Sequence, residues 1–86
     1  MDSTAKSLEK ETRKWMEKLK KELGSGIEAL MEGAKDAAVS EALRNMQAYI
    51  DDTKHFIEKK DFMRAFESII YAWGIYETLK RTKLIK

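Results

Sequence analysis

The sequence predicts an all-α protein, an up-down-up bundle of three helices forming a single domain over residues 1–86. Three observations carry this. Pro is absent while Lys, Glu, Leu, Ala and Met are abundant, so intrinsic propensity favours helix along the whole chain. No window alternates apolar and polar residues with the period of two that a half-buried strand requires. Apolar residues instead recur three and four apart in long stretches, the spacing of helices that bury one face.

The first helix is expected over about residues 4–31. Leu8, Trp15, Met16, Leu19 and Leu23, with Thr12 between them, make one stripe, and Ser3, Thr4 and Ser7 are candidate caps for its start. Two breakers compete for its end: Gly24-Ser25-Gly26, and Gly33 as a C-cap. Ile27, Leu30, Met31 and Ala34 stay in phase with the stripe, so periodicity does not choose between them. Length does. A break at Gly24 leaves a second helix of about 33 residues, on the order of 50 Å, beside a third of roughly 33 Å. An end near Met31 gives helices of about 28, 23 and 22 residues that cover one another. The Gly24-Ser25-Gly26 segment then sits inside the first helix as a weak point or break, at about 1 kcal/mol per glycine relative to Ala.

The second helix is expected over about residues 36–59. Val39, Ala42, Leu43, Met46, Tyr49, Ile50, Thr53, Phe56 and Ile57 repeat the same spacing. Asp61 has the chemistry of an N-cap for a third helix running from about 61 to 83. Short connections make sequential helices antiparallel, which is the up-down-up arrangement.

The third helix is apolar over more of its circumference than one core stripe uses. Its polar face shrinks to Arg64, Glu67, Ser68, Glu77 and Thr78. Met63, Ile70, Tyr71 and Ile75 are therefore expected at a partner or self interface, a homodimer being one form of it. Ala65, Ala72 and Gly74 suit close helix approach.

Composition removes several functions. Hydrophobic residues make up 43% and charged residues 37%, which suits neither a disordered tail nor a membrane protein. With no Cys, there is no disulfide scaffold, thiolate metal site or cysteine nucleophile. Residues 1–10 are polar and carry no leader pattern, so a cytoplasmic location is expected. One His, no glycine-rich phosphate loop and no nucleophile beside a base argue against an enzyme, and no cofactor is expected.

Two surface constellations remain. Asp51, Asp52, His55 and Glu58 share a helix side and have ligand types that suit a divalent metal, but helical metal sites draw on at least two helices, so no metal is expected here. Lys10, Lys14, Lys18 and Lys21 line the first helix, and Lys80, Arg81, Lys83 and Lys86 crowd the C-terminus. A net charge of +2 with 17 basic and 15 acidic residues is close to balanced, so only the tail is strongly one-signed. Tracking of nucleic-acid phosphates by that tail and helix one is the alternative to a protein interface. Glu9-Arg13, Glu17-Lys21 and Lys18-Glu22 have salt-bridge spacing. A turn at residue 60 or 61 would face Asp52 toward Tyr71 and Arg44 toward Glu77, giving two structural polar pairs.

The stretch YIDDTKHFIEKKDFMRAFESIIYAWGIYE, residues 49–77, resembles the archaeal family called Domain of Unknown Function 357. Tyr49, Asp52, Phe56, Glu58, Lys59, Asp61, Ala65, Phe66, Tyr71, Ala72, Gly74 and Glu77 carry the likeness. Lys60 stands where the family turn has Gly, Thr53 where it has Ala, and Glu77 where Asp is usual. The resemblance implies a left-handed three-helix bundle similar in topology to albumin- and immunoglobulin-binding domains, and an archaeal cytoplasmic source. It implies no activity, since the family's function is not established. The functional expectation is thus a non-enzymatic helical interaction or adaptor module.

Overall fold

The computed structural model describes residues 3–24 and 26–85. Among the described residues the chain is all-α, with four helices rather than three: α1 (Ser3–Leu23), α2 (Ile27–Gly33), α3 (Ala37–Glu58) and α4 (Phe62–Arg81). They form a rod of 48 × 19 × 18 Å. Ser7 lies within α1 instead of capping it.

The fourth helix exists because both glycine signals act. Helix length alone would need one breaker; the backbone uses both. Gly24 adopts φ 57° and Gly26 φ 96° with ψ 176°, conformations closed to helix and costly for any residue with a Cβ. The amide of Gly26 donates to the Leu23 carbonyl at 3.0 Å and closes the end of α1. Gly33 then ends α2, with extended Ala34 as the cap and its amide on Met31 O at 3.2 Å. Asp36 starts α3 by accepting from the Ala38 amide at 2.7 Å. The long helix thus folds back as a short α2 against α3, and Ile27 stays in the core.

The α3–α4 link is compressed into three residues. The Asp61 amide donates to Phe56 O and the Lys60 amide to Ile57 O, while Lys60 takes φ 61°. This is the Schellman ending, whose left-handed residue is usually Gly. Asp61 also serves as the expected N-cap of α4, accepting from the Arg64 amide at 3.2 Å. Lys60 accordingly sits where a Cβ is disfavoured, and Lys60→Gly should raise stability by about 0.5–1 kcal/mol, a gain of roughly 4 °C in melting temperature. A thermal melt with no gain would mean that the left-handed lysine costs nothing here.

α4 is the shared element of the fold. It packs on α3 along its length and on α1 on another side, whereas α1 barely touches α3. Ala65, Ser68, Ile69, Ala72, Tyr76 and Leu79 are its buried residues. Ser68, expected on the polar face, is buried, and with Ala65 and Ala72 it supplies small side chains on the inward side of α4. Leu19, Val39, Leu43, Met46 and Ile50 complete the core. Thr12 and Thr53 are fully buried, each donating its hydroxyl to the carbonyl four residues back, Leu8 O at 2.6 Å and Tyr49 O at 2.8 Å.

Hydrogen bonds from two α4 side chains fix α1 on α4. Trp73 Nε1 donates to Trp15 O at 2.9 Å, with the two indoles edge to face at 5.7 Å. The Tyr76 hydroxyl reaches Glu22 O at 3.4 Å and Glu22 Oε1 at 3.3 Å. Trp73 meets Trp15 and Tyr76 meets Glu22, so α1 and α4 run parallel. Burial, the Glu22 charge and the Glu22 hydrogen bond together raise the Tyr76 phenol above its ordinary pKa. A phenol that is harder to ionise when folded contributes stability at pH below about 10, and that contribution is lost as pH rises through the folded value. Tyr76→Phe should therefore flatten the alkaline limb of a melting-temperature-versus-pH curve; an unchanged limb would assign the loss to other groups.

Candidate functional site

The outward face of α4 is the surface that the core does not claim. Buried positions occupy one side of the helix, and Met63, Arg64, Glu67, Ile70, Tyr71, Gly74, Glu77 and Thr78 are exposed on the other. Met63 is 63% exposed, Tyr71 51% and Ile70 39%, far above what a large apolar side chain shows in a core. Ile75, grouped with them from the sequence, is only half-buried and packs against the core. The surplus of apolar surface on this helix has two origins: two buried contacts, with α3 and with α1, and an outward remainder.

At the edge of that face, α3 and α4 part into an open groove of about 530 Å³. Ala42, Asn45 and Tyr49 line it from α3; Tyr71, Gly74, Ile75, Thr78 and Leu79 line it from α4. Tyr49 and Tyr71 pack across one end, ring centres 5.4 Å apart and planes tilted by 60°. Further along, Arg64 lies 6.0 Å over the Phe56 ring, held from its own helix by Asp61 at 3.7 Å. A Cβ built on Gly74 would meet nothing within 4 Å, so no contact within the chain requires glycine there.

Both expected polar pairs are absent. Tyr71 spends its ring on Tyr49, and Asp52 accepts no hydrogen bond from it. Arg44 lines a separate open hollow between α2 and α3, together with Glu28, Gln47 and Asp51, so it does not reach Glu77. For Arg44 the reason is rotational: residues 44 and 49 are five apart on α3, which puts them on opposite sides of the helix, and Tyr49 is the one that faces α4.

The acidic-histidine group does not converge. Among the described residues no three His, Asp or Glu side chains come together as a metal would need. Asp51 accepts from Gln47 Nε2 at 2.9 Å, His55 lies edge-on to Phe56 at 5.4 Å, and Asp52, His55 and Glu58 are exposed. They sit on one exposed helix side and no second helix brings a ligand to them, which is the physical reason.

The basic residues are also spread. On α1, Lys18 lies 4.5 Å over the Trp15 ring and Lys14 5.8 Å, so part of the lysine row is engaged with an aromatic. Of the three helical salt-bridge spacings only Arg13–Glu9 closes, at 2.9 Å. Lys80 and Arg81 fall in the last turn of α4, where the helix dipole favours cations. Lys83 takes φ 60° and ends the helix by a second Schellman turn, its amide on Lys80 O and that of Leu84 on Leu79 O. Lys86, counted with this cluster, lies outside the described residues.

The model of a family described as a protein of unknown function, DUF357, matches residues 10–85. The chain belongs to this family. The DUF357 match reaches from α1 to the C-terminal Schellman turn, far beyond the stretch from Tyr49 to Glu77 in which the motif is legible, so α1 and α2 are part of the family's pattern as well. No curated protein and no solved structure matches the chain. Among the described residues no helix of this DUF357 chain is long and apolar enough to cross a membrane.

Proposed function

We propose that the chain is a non-enzymatic helical interaction module whose binding surface is the outward face of α4, with the α3–α4 groove at its edge. One observation carries the reading. All four large apolar side chains exposed among the described residues, Met63, Ile70, Tyr71 and Leu84, lie on α4 or just past its end. Scattered exposed apolar residues are ordinary, whereas an aligned set on one helix is the pattern of a contact surface. The same reading takes α1, α3 and α4 as a left-handed three-helix bundle of the albumin-binding kind, with α2 as an insertion at the α1–α3 corner.

The test is site-specific photo-cross-linking in native extract. A benzophenone side chain at Glu77, on the outward face, should give a discrete protein adduct that Ile70→Glu abolishes, and the same group at Lys54 on α3 should give none. Equal labelling from both positions would sink the module. Nucleic-acid binding through Lys80, Arg81, Lys83 and Lys86 is the competing outcome. It would appear as a nucleic-acid adduct that weakens steeply with salt and is lost when those four residues become Gln.

A further inference from the structure

We propose that the partner of the α4 face is a second copy of this chain, bound through α4 packed antiparallel on α4 about a two-fold axis at Gly74. The proposal rests on the interaction-module reading above and names its occupant.

Charge order along the face carries it. Glu67, Gly74 and Arg81 are seven residues apart, so they lie nearly in line on the exposed side of the helix. Gly74 is midway, with Glu67 and Arg81 each about 10 Å from it along the axis. Turning a copy of this helix end for end about Gly74 sets Glu67 against the Arg81 of the second copy, and Arg81 against its Glu67. Two equivalent ion pairs form, as an isologous contact requires. The parallel alternative stacks Glu67 on Glu67 and Arg81 on Arg81, which like-charge repulsion opposes.

The apolar residues obey the same reversal. Met63 and Ile70 are seven apart on a second line beside the first, and Leu84 stands just past the end of α4, after its terminal Schellman turn. In the antiparallel register Met63 at the start of α4 falls beside the C-terminal end of α4 in the other copy, where Leu84 is exposed. Met63 at 63% and Leu84 at 54% exposure are two of the three most exposed large apolar side chains among the described residues, and they lie at opposite ends of one helix. Antiparallel pairing is the arrangement that covers each with the other. Gly74 at the centre explains itself in the same way. Glycine is costly inside a helix and nothing in its own chain fills the space above it, but it lets two backbones approach where the axes cross.

One helix face about 30 Å long is a small interface, so the dimer is weak, with a dissociation constant on the order of 10–100 µM. Sedimentation equilibrium of the whole chain up to about 1 mM should show a monomer of 10.0 kDa passing to twice that mass. Each ion pair occurs twice, so Glu67→Arg or Arg81→Glu should weaken association by about tenfold, and the double exchange should recover it to within about threefold. Because the chain has no cysteine, single cysteines report the register cleanly. Gly74→Cys should oxidise to a disulfide dimer. Glu67→Cys alone should not, while Glu67→Cys with Arg81→Cys in one chain should. A disulfide from Glu67→Cys alone would mean a parallel pair and overturn the proposal. A monomer at all concentrations overturns it too, and then an Ile70-dependent cross-link to another protein would leave the module reading standing, while no cross-link would end both.

Discussion

Trp73→Ala should cost about 3 kcal/mol and lower the melting temperature by roughly 12–24 °C. Trp73 is the main tie between α1 and α4. Its Nε1 donates to Trp15 O at 2.9 Å, its ring meets Trp15 edge to face at 5.7 Å, and Tyr76 abuts its other side at 5.9 Å. Edge-to-face aromatic pairs contribute about 0.5–1.5 kcal/mol beyond area burial, so truncation removes two such contacts together with a large apolar surface. The loss is directional as well as large. α1 has almost no contact with α3, so its hold on the fold runs through α4, and once the indole is gone the buried Leu19 and the Tyr76–Glu22 bonds must carry it. Amide exchange should rise first in α1, ahead of the α3–α4 hairpin. Trp73→Phe is the control. It keeps a ring and loses the donor, and since Trp15 O can still accept from within its own helix, about 1 kcal/mol should be lost. Equal costs for Phe and Ala would mean that the hydrogen bond, not the packing, holds α1.

How much of this was legible in the sequence differs from residue to residue. Helix periodicity locates α3 and α4 to within a few residues, because Leu43, Met46, Ile50, Ile69 and Leu79 announce their faces by spacing. The α1–α2 break does not show that way. Ile27 keeps the phase of the α1 stripe across it, and the deciding term is the left-handed backbone at Gly24 and Gly26, which periodicity does not sense. Ser68 misleads for a related reason: it is polar by type but small, and close helix packing on the inner side of α4 selects for size. The α4 surface is half legible. Its apolar excess marks Met63, Ile70 and Tyr71 correctly as exposed, yet the pairings Asp52–Tyr71 and Arg44–Glu77 fail, because Tyr71 packs on the Tyr49 ring and Arg44 turns to the α2 side of α3. Leu84, beyond the expected helix, escapes notice since its exposure follows from the terminal Schellman turn.

The neighbours Ile69 and Ile70 test which side of α4 is core and which is free. Ile69 is fully buried and Ile70 is 39% exposed, although nothing in their side chains differs. Ile69→Ala should cost about 2–5 kcal/mol, the transfer term plus an unrelaxed cavity between helices. In a small domain with about 5–10 kcal/mol in hand, that takes a large share of total stability and lowers the urea midpoint accordingly. Ile70→Ala should stay within about 0.5 kcal/mol of the parent in the monomer, because an exposed site leaves no cavity to line. The two substitutions should then exchange roles in association. Ile70→Ala removes apolar area from the proposed α4–α4 contact and should weaken self-association, while Ile69→Ala, where it still folds, should leave the contact chemistry intact. Urea melts at low concentration read the first comparison, and sedimentation read well below the midpoint reads the second. Equal destabilisation by both would rotate α4 about its axis by one residue, about 100°, and remove the free face on which the functional reading stands.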